Sequence, residues 1–354
     1  MSLRAVGEGH VSSIEFRTGV VAAAGDVRLD DPGAFLDCGH HSPGPYERRL
    51  FHAKLAEHGC DHEAAALVLD RLEPHFGAAE LDGSIEALHP GLLAKPSVRK
   101  TVERIRWVAE SNYTVEFRPE TAIAERVLWP TGPTEAQGME DARFVRFVDD
   151  DGAVTYLATY TAFDRALVTP QLISTTDFRA FAVSQLSGPY ATNKGMALFP
   201  RKVRGRYLAL SRWDRERSAI TVSDDGHEWA EATTLRQTPR PWELIQVGNC
   251  GSPLETREGW LVLTHGVGPI RAYAIGAILL DLDDPRRVIG TLADPLLIPS
   301  EDERDGYVPN VVYSCGSLVH GQRLVLPYGF SDSAVGFALV DLAELLSRLT
   351  ASHR

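Results

Sequence analysis

Cysteine is scarce in this 354-residue sequence, and its four copies (Cys38, Cys60, Cys250, Cys315) form no CxxC pair. That excludes a disulfide framework and leaves four reduced thiols as the expectation. One cluster has metal-binding residue types: Cys38, His40 and His41, followed by Cys60 and His62. Its spacing matches no zinc finger or ribbon, so it reads as a histidine-rich surface loop leading into a helix, with no metal expected. Long apolar runs are also lacking. None approaches the ~18 residues of a membrane span, and Met1–Glu8 has no apolar core of the kind a signal peptide needs. A cytoplasmic location without a membrane partner is expected. Positive charge is short as well: 36 Lys and Arg face 48 Asp and Glu, a net charge of −12. This balance argues against a nucleic-acid partner and suits a soluble enzyme with a neutral substrate. A homo-oligomer is compatible with the sequence.

What the chain does have is hydrophobic content of 44%, enough for a sizeable core. Residues 4–29 alternate in the manner of strands, with Gly19 and Gly25 as punctuation. From about Pro45 to Glu110 the texture becomes helical. Ala65, Leu69, Leu72 and Phe76 recur at helical spacing, as do Val98, Val102, Ile105 and Ala109, with Pro90 and Pro96 between the two stretches. This block reads as a helical insertion near the N-terminus whose stripes serve packing. At the other end, Asp341-Leu342-Ala343-Glu344 opens a short C-terminal helix carrying Leu342, Leu345, Leu346 and Leu349.

From Asn112 onward, short strands and turns repeat. Gly152, Gly205, Gly259 and Gly321 each precede an apolar strand, at spacings of 53, 54 and 62 residues. A period in this range with several strands per repeat predicts an all-β propeller, and a single domain over residues 1–354. Before each turn glycine stands a polar or small segment: Glu140-Asp141, Asn193-Lys194-Gly195, Gly248-Asn249-Cys250-Gly251 and Pro309-Asn310. Arg212, His265 and Tyr328 recur at the ends of the strands that follow. In a propeller, residues at one place in each repeat converge on the axis. A ring of polar groups there reads as a site rather than as a set of turn-satisfying strand ends.

The chemistry centres on Gly138-Met139-Glu140-Asp141-Ala142-Arg143-Phe144, which puts two carboxylates and a guanidinium at the mouth of a strand. Alternation along a strand sends Glu140 and Asp141 to opposite faces and puts Arg143 on the side of Asp141. A carboxylate beside an arginine suits an acid in sugar chemistry; a structural ion pair closing a loop is the bland counterpart.

With those residues in hand, the sequence resembles glycoside hydrolase family 130, the β-mannoside phosphorylases and β-mannosidases. The resemblance is carried by Gly138–Arg143, Leu198-Phe199-Pro200, Gly259-Trp260-Leu261-Val262, His265-Gly266-Val267, the segment 279–285 and Tyr328-Gly329-Phe330-Ser331-Asp332. It implies a five-bladed propeller that cleaves β-mannosidic bonds with inversion, with Asp141 as general acid acting through a sugar hydroxyl. It also implies a β-mannoside oligosaccharide as partner and no cofactor, with inorganic phosphate as co-substrate in a phosphorylase. Three departures stand out. Ala142 replaces the usual proline, and an asparagine-containing strand upstream of the match to residues 7–13 is not present. At the phosphate pocket Arg212 and His265 match, but Asn193 and Gln246 stand where lysine or arginine is common, with Lys194 as a compensating cation.

Each lost cation removes a charge-assisted bond of about 1.5–3 kcal/mol to phosphate. The expectation is therefore hydrolysis, with Glu243 or Glu303 as the base. The alternatives are a phosphorylase releasing mannose 1-phosphate and a non-catalytic glycan-binding propeller. Asp141, Lys194, Arg212, His265 and Asp332 are expected in one central cavity. Glu140, Arg143, Asn193, Gln246, Tyr273, Asn310 and Tyr328 complete the expected substrate-binding set.

Overall fold

Glycines allow backbone turns that other residues resist, and Gly152, Gly205, Gly259 and Gly321 all adopt positive φ, at 85°, 74°, 154° and 60°. In the computed structural model, which describes residues 1–6, 11–22, 26–60, 62–236 and 240–351, each opens into an apolar strand. These strands are Val154–Phe163, Tyr207–Ser211, Trp260–Val267 and Arg323–Phe330. Gly7 and Gly25 lie outside the described residues.

Each of the last three strands sits within its own antiparallel sheet. One sheet runs Ala197–Leu198, Tyr207–Ser211, Ala219–Ser223, Glu231–Thr234 in chain order. The next runs Gln246–Asn249, Trp260–Val267, Tyr273–Leu280, Val288–Thr291, with Leu254–Glu255 added to its second strand. The third combines Val312–Tyr313, Leu318–His320, Arg323–Phe330 and Ala334–Asp341. The first part of the chain forms a nine-stranded sheet in which Gly138–Val148, Val154–Phe163, Val168–Thr175 and Ala180–Gln185 are a similar meander. A single parallel bridge, Gly138 to Ser12, joins this meander to the N-terminal strands. Gly138 has φ 123°, and a Cβ there would lie 2.4 Å from Ser12 Oγ. No larger residue permits that approach.

Residues 48 to 110 are largely helical: α1 (Arg48–Glu57), α2 (His62–Leu69), α3 (Ala78–Glu86), α4 (Pro90–Leu93) and α5 (Pro96–Glu110). Pro90 and Pro96 stand at helix starts, where the missing N–H costs nothing. The helical stripe read through Leu72 and Phe76 ends earlier. Helix α2 stops at Leu69, Leu72 lies in a turn ahead of Pro74, and Phe76 belongs to a two-residue strand, His75–Phe76, paired with Tyr46–Glu47. Proline cannot continue a helix, which ends the periodicity there. All four side chains still enter one core.

Phe51 is wholly buried in that core, with ring centroids 5.4 Å from Tyr46 and 5.2 Å from Phe76. Phe51→Ala should cost about 3–5 kcal/mol in chemical denaturation. The block docks on the β structure through charged groups. Lys54, nearly buried on α1, donates to the Leu186 carbonyl at 3.0 Å, and Glu57 accepts from the Gly188 N–H at 2.6 Å. At the C-terminus, α6 (Leu342–Ala351) is capped by Asp341, which accepts from the Glu344 N–H at 3.0 Å, and buries Leu345, Leu346 and Leu349. Among the described residues no helix is long and apolar enough to cross a membrane.

Candidate active site

Strand alternation fails where the chemistry begins. Along Gly138–Val148 the pairing register shifts between Glu140 and Arg143, and Asp141 adopts φ 55°. Such a bulge re-aims a side chain, and an aspartate tolerates the left-handed conformation better than most residues. Glu140 and Asp141 therefore do not part to opposite sides. Both reach the same guanidinium, that of Arg4, at 2.9 Å and 3.7 Å. The other Glu140 oxygen accepts from Lys194 Nζ at 2.5 Å.

Arg143 is 1% exposed. Its Nη1 donates to the Asp141 carbonyl at 3.1 Å and its Nη2 to the Tyr313 hydroxyl at 2.5 Å. Burial opposes its charge, but Tyr313, Cys315, Asp141 and Cys250 around it leave its pKa raised. The Tyr313 ring meets the His265 imidazole edge-on at 4.9 Å. His265 lies across from Gly248 in the strand pair, and a Cβ on Gly248 would sit 2.6 Å from His265 Cε1 and 3.3 Å from Arg212 Nη1. Arg212 follows directly on Tyr207–Ser211. Its carbonyl accepts from Asn193 Nδ2 at 2.8 Å, and Gln246, with its amide oxygen turned to the guanidinium, accepts from Nη2 at 3.0 Å. Direct contacts therefore run from Asp141 through Arg143 and Tyr313 to His265, with Arg212 close enough to act on the His265 charge. Gly248→Ala should push His265 and Arg212 aside and lower kcat/KM by at least about tenfold without unfolding the chain, measured beside a melting curve.

Burial lowers the His265 pKa to about 3, reinforced by Arg212 and Arg143 and opposed by Asp141. The imidazole is neutral at pH 7. Burial also lowers the Arg212 pKa, and Arg143 adds to that. Among the described residues, Nε of Arg143, Nε of Arg212 and Nδ1 of His265 are buried without hydrogen-bond partners. Buried polar atoms left without partners are costly, and these three belong to neighbouring side chains of one cluster.

The other expected residues are more scattered. Tyr273 opens Tyr273–Leu280, and its N–H donates to the Asn310 carbonyl at 3.1 Å. Asn310 and Asp332 both have positive φ, at 61° and 52°. Asp332 is exposed in the turn after Arg323–Phe330, and among the described residues no hydrogen bond or ion pair joins it to Asp141, Lys194, Arg212 or His265.

Glu243 and Glu303 cap short 3-10 turns. Glu243 Oε2 accepts from the Arg240 N–H at 3.1 Å, and burial raises its pKa. Glu303 Oε2 accepts from the Ser300 N–H at 2.9 Å, while its Oε1 takes the Tyr328 hydroxyl at 2.6 Å. That hydroxyl is the first cause of the lowered Glu303 pKa. Arg4 and Tyr313 were missed by sequence reading. They stand 136 and 170 residues from their partners, and no local signal marks them.

Consecutive antiparallel sheets carrying an aspartate on a bulge, beside two arginines and a neutral histidine, define the class: a mostly β protein with one cluster of ionisable side chains. The family model for β-1,4-mannooligosaccharide phosphorylases matches residues 104–351, and the chain belongs to that family, glycoside hydrolase family 130. A 1,2-β-oligomannan phosphorylase from Thermoanaerobacter sp. (strain X514) is 33% identical over 60% of this chain and 71% of its own length. A β-1,2-mannobiose phosphorylase from Listeria innocua is 31% identical over 63% of each chain. The structure of a Listeria innocua β-1,2-mannobiose phosphorylase in complex with β-1,2-mannobiose superposes with a TM-score of 0.57, covering 63% of both chains. The chain thus spans about two thirds of the length of these relatives.

Proposed function

We propose that the protein is a β-mannoside phosphorylase rather than the hydrolase expected from its sequence. The carrying observation is the cluster of two guanidiniums and a neutral imidazole, Arg143, Arg212 and His265, each with a buried nitrogen that has no hydrogen-bond partner among the described residues. Two guanidiniums and an imidazole N–H suit the oxygens of inorganic phosphate. A hydrolase would need a free carboxylate to activate water, whereas Glu243 and Glu303 are engaged as turn caps. The phosphorylase names of the relatives support the same choice.

In this reading a phosphate oxygen attacks C1 of the mannosyl unit from the face opposite the leaving group. The glycosidic C–O bond breaks, and the departing oxygen takes a proton that originates on Asp141 and is relayed by a sugar hydroxyl. The products are α-mannose 1-phosphate and the shortened mannoside. Glu140, held by Arg4 and Lys194, lies beside the acid and is assigned to sugar hydroxyls, together with Lys194, Asn193, Tyr273, Asn310, Tyr328 and Asp332. Gln246 orients Arg212.

The fold proposed for the single domain is a five-bladed propeller. Four meanders would be blades, the strands Ser2–Val6, Ser12–Phe16 and Val127–Leu128 would belong to the fifth, and the helical block would be an insertion. The test is β-mannobiose cleavage with and without phosphate. Mannose 1-phosphate formed only with phosphate is expected. Free mannose released at an equal rate in phosphate-free buffer would overturn the reading.

A further inference from the structure

A cavity away from these groups lies in the seam between the helical block and the sheet. Its volume is about 560 Å3. Tyr46 forms one wall and is 4% exposed; its hydroxyl is open to the cavity and makes no hydrogen bond among the described residues. Burial first, then the nearby carboxylates of Asp82 and Glu110, push its pKa up. Asp82 on α3 and Arg106 and Glu110 on α5 line the same space, and all three are exposed. None of the three makes an ion pair or side-chain hydrogen bond among the described residues, although Arg106 and Glu110 are one helical turn apart. Leu81 and Ala109 supply an apolar floor.

A nearly buried phenol, two carboxylates and a guanidinium, all unspoken for, form a mixed array of donors and acceptors over an apolar patch. A sugar ring presents the complement: hydroxyls around its edge and C–H groups on its face. An amine would use the carboxylates but leave Arg106 facing a like charge. We propose that this cavity is a second carbohydrate site, one that holds a β-mannooligosaccharide without cleaving it. The sugar class follows from the cavity; the choice of mannose rests on the function proposed above.

The experiment is hydrogen exchange followed by mass spectrometry on the full chain carrying Asp141→Asn, so that sugar is not consumed. With β-mannotriose, amides within 78–86 and 105–113 should exchange at least about twofold more slowly, alongside those of 138–148. Adding Asp82→Ala and Glu110→Ala should abolish the first protection and spare the second. With Asp141 intact, the same pair of changes should leave turnover of β-mannobiose unaltered. Protection confined to 138–148 would overturn the second site alone. No protection in either region would overturn the mannoside reading of both sites. Slowing within 78–86 and 105–113 by propylammonium but not by mannotriose would make the cavity a cation site and overturn the proposal.

Discussion

Asp141→Asn should lower turnover of β-mannobiose by about 10²–10⁴-fold, the range set by loss of a general acid. The amide keeps the shape of the carboxyl but has no acidic proton to deliver. Little stability should be lost. Among the described residues the Asp141 carboxylate has one ion pair, at 3.7 Å, with an Arg4 side chain that is 41% exposed, and pairs of that kind are worth about 0–1 kcal/mol. Asparagine also tolerates the φ of 55° that the bulge imposes. Binding of the mannoside, measured by calorimetry, should therefore survive while cleavage does not. If the variant retained more than about a tenth of native turnover, the proton would have to come from elsewhere, and Glu140 is the adjacent carboxyl.

The second large effect is expected at Arg143. Replacement by methionine removes the donors on which the proposed phosphate site depends, at about 1.5–3 kcal/mol for each charge-assisted bond. That converts to a rise of about 10- to 150-fold in the KM for phosphate. The KM for β-mannobiose should change far less. Arg143→Lys keeps the charge without the planar fork and should recover only part of the loss. Tyr313→Phe removes the hydroxyl that holds Nη2 at 2.5 Å and should act in the same direction with a smaller effect. Equal rises in both KM values would point to general disruption of the site and against a phosphate role for Arg143.

Much of this was legible because backbone geometry forces residue choice. Turns at positive φ call for glycine, so Gly152, Gly205, Gly259 and Gly321 announced their strands. The Glu140–Arg143 motif was legible as chemistry but not as geometry, because the bulge there has no glycine to signal it and puts Asp141 itself in the left-handed region. Glu243 and Glu303, the expected bases, also stand in a pattern with a second, structural use. A glutamate three residues after a turn start serves as a cap, and Ser300-x-x-Glu303 carried that pattern in plain sequence. Arg4 and Tyr313 were beyond reach. Long-range pairing brings them to the site, and an isolated arginine or tyrosine on a strand has no period or spacing to mark it.

The attachment of α1 to the β structure has a consequence for the order of assembly. Helices α1 to α5 pack among themselves through contacts close in sequence, so that block has what it needs to form early. Its anchors on the sheet, Lys54 to Leu186 and Glu57 to Gly188, span 132 and 131 residues and close only once that distant segment exists. Asn193 and Lys194 follow within a few residues of Gly188. In a chain folding as it is synthesised, the lysine that meets Glu140 is thus set in place by a helix completed more than a hundred residues before it. The side of the site assigned to sugar hydroxyls thus takes shape only after that distant segment has docked.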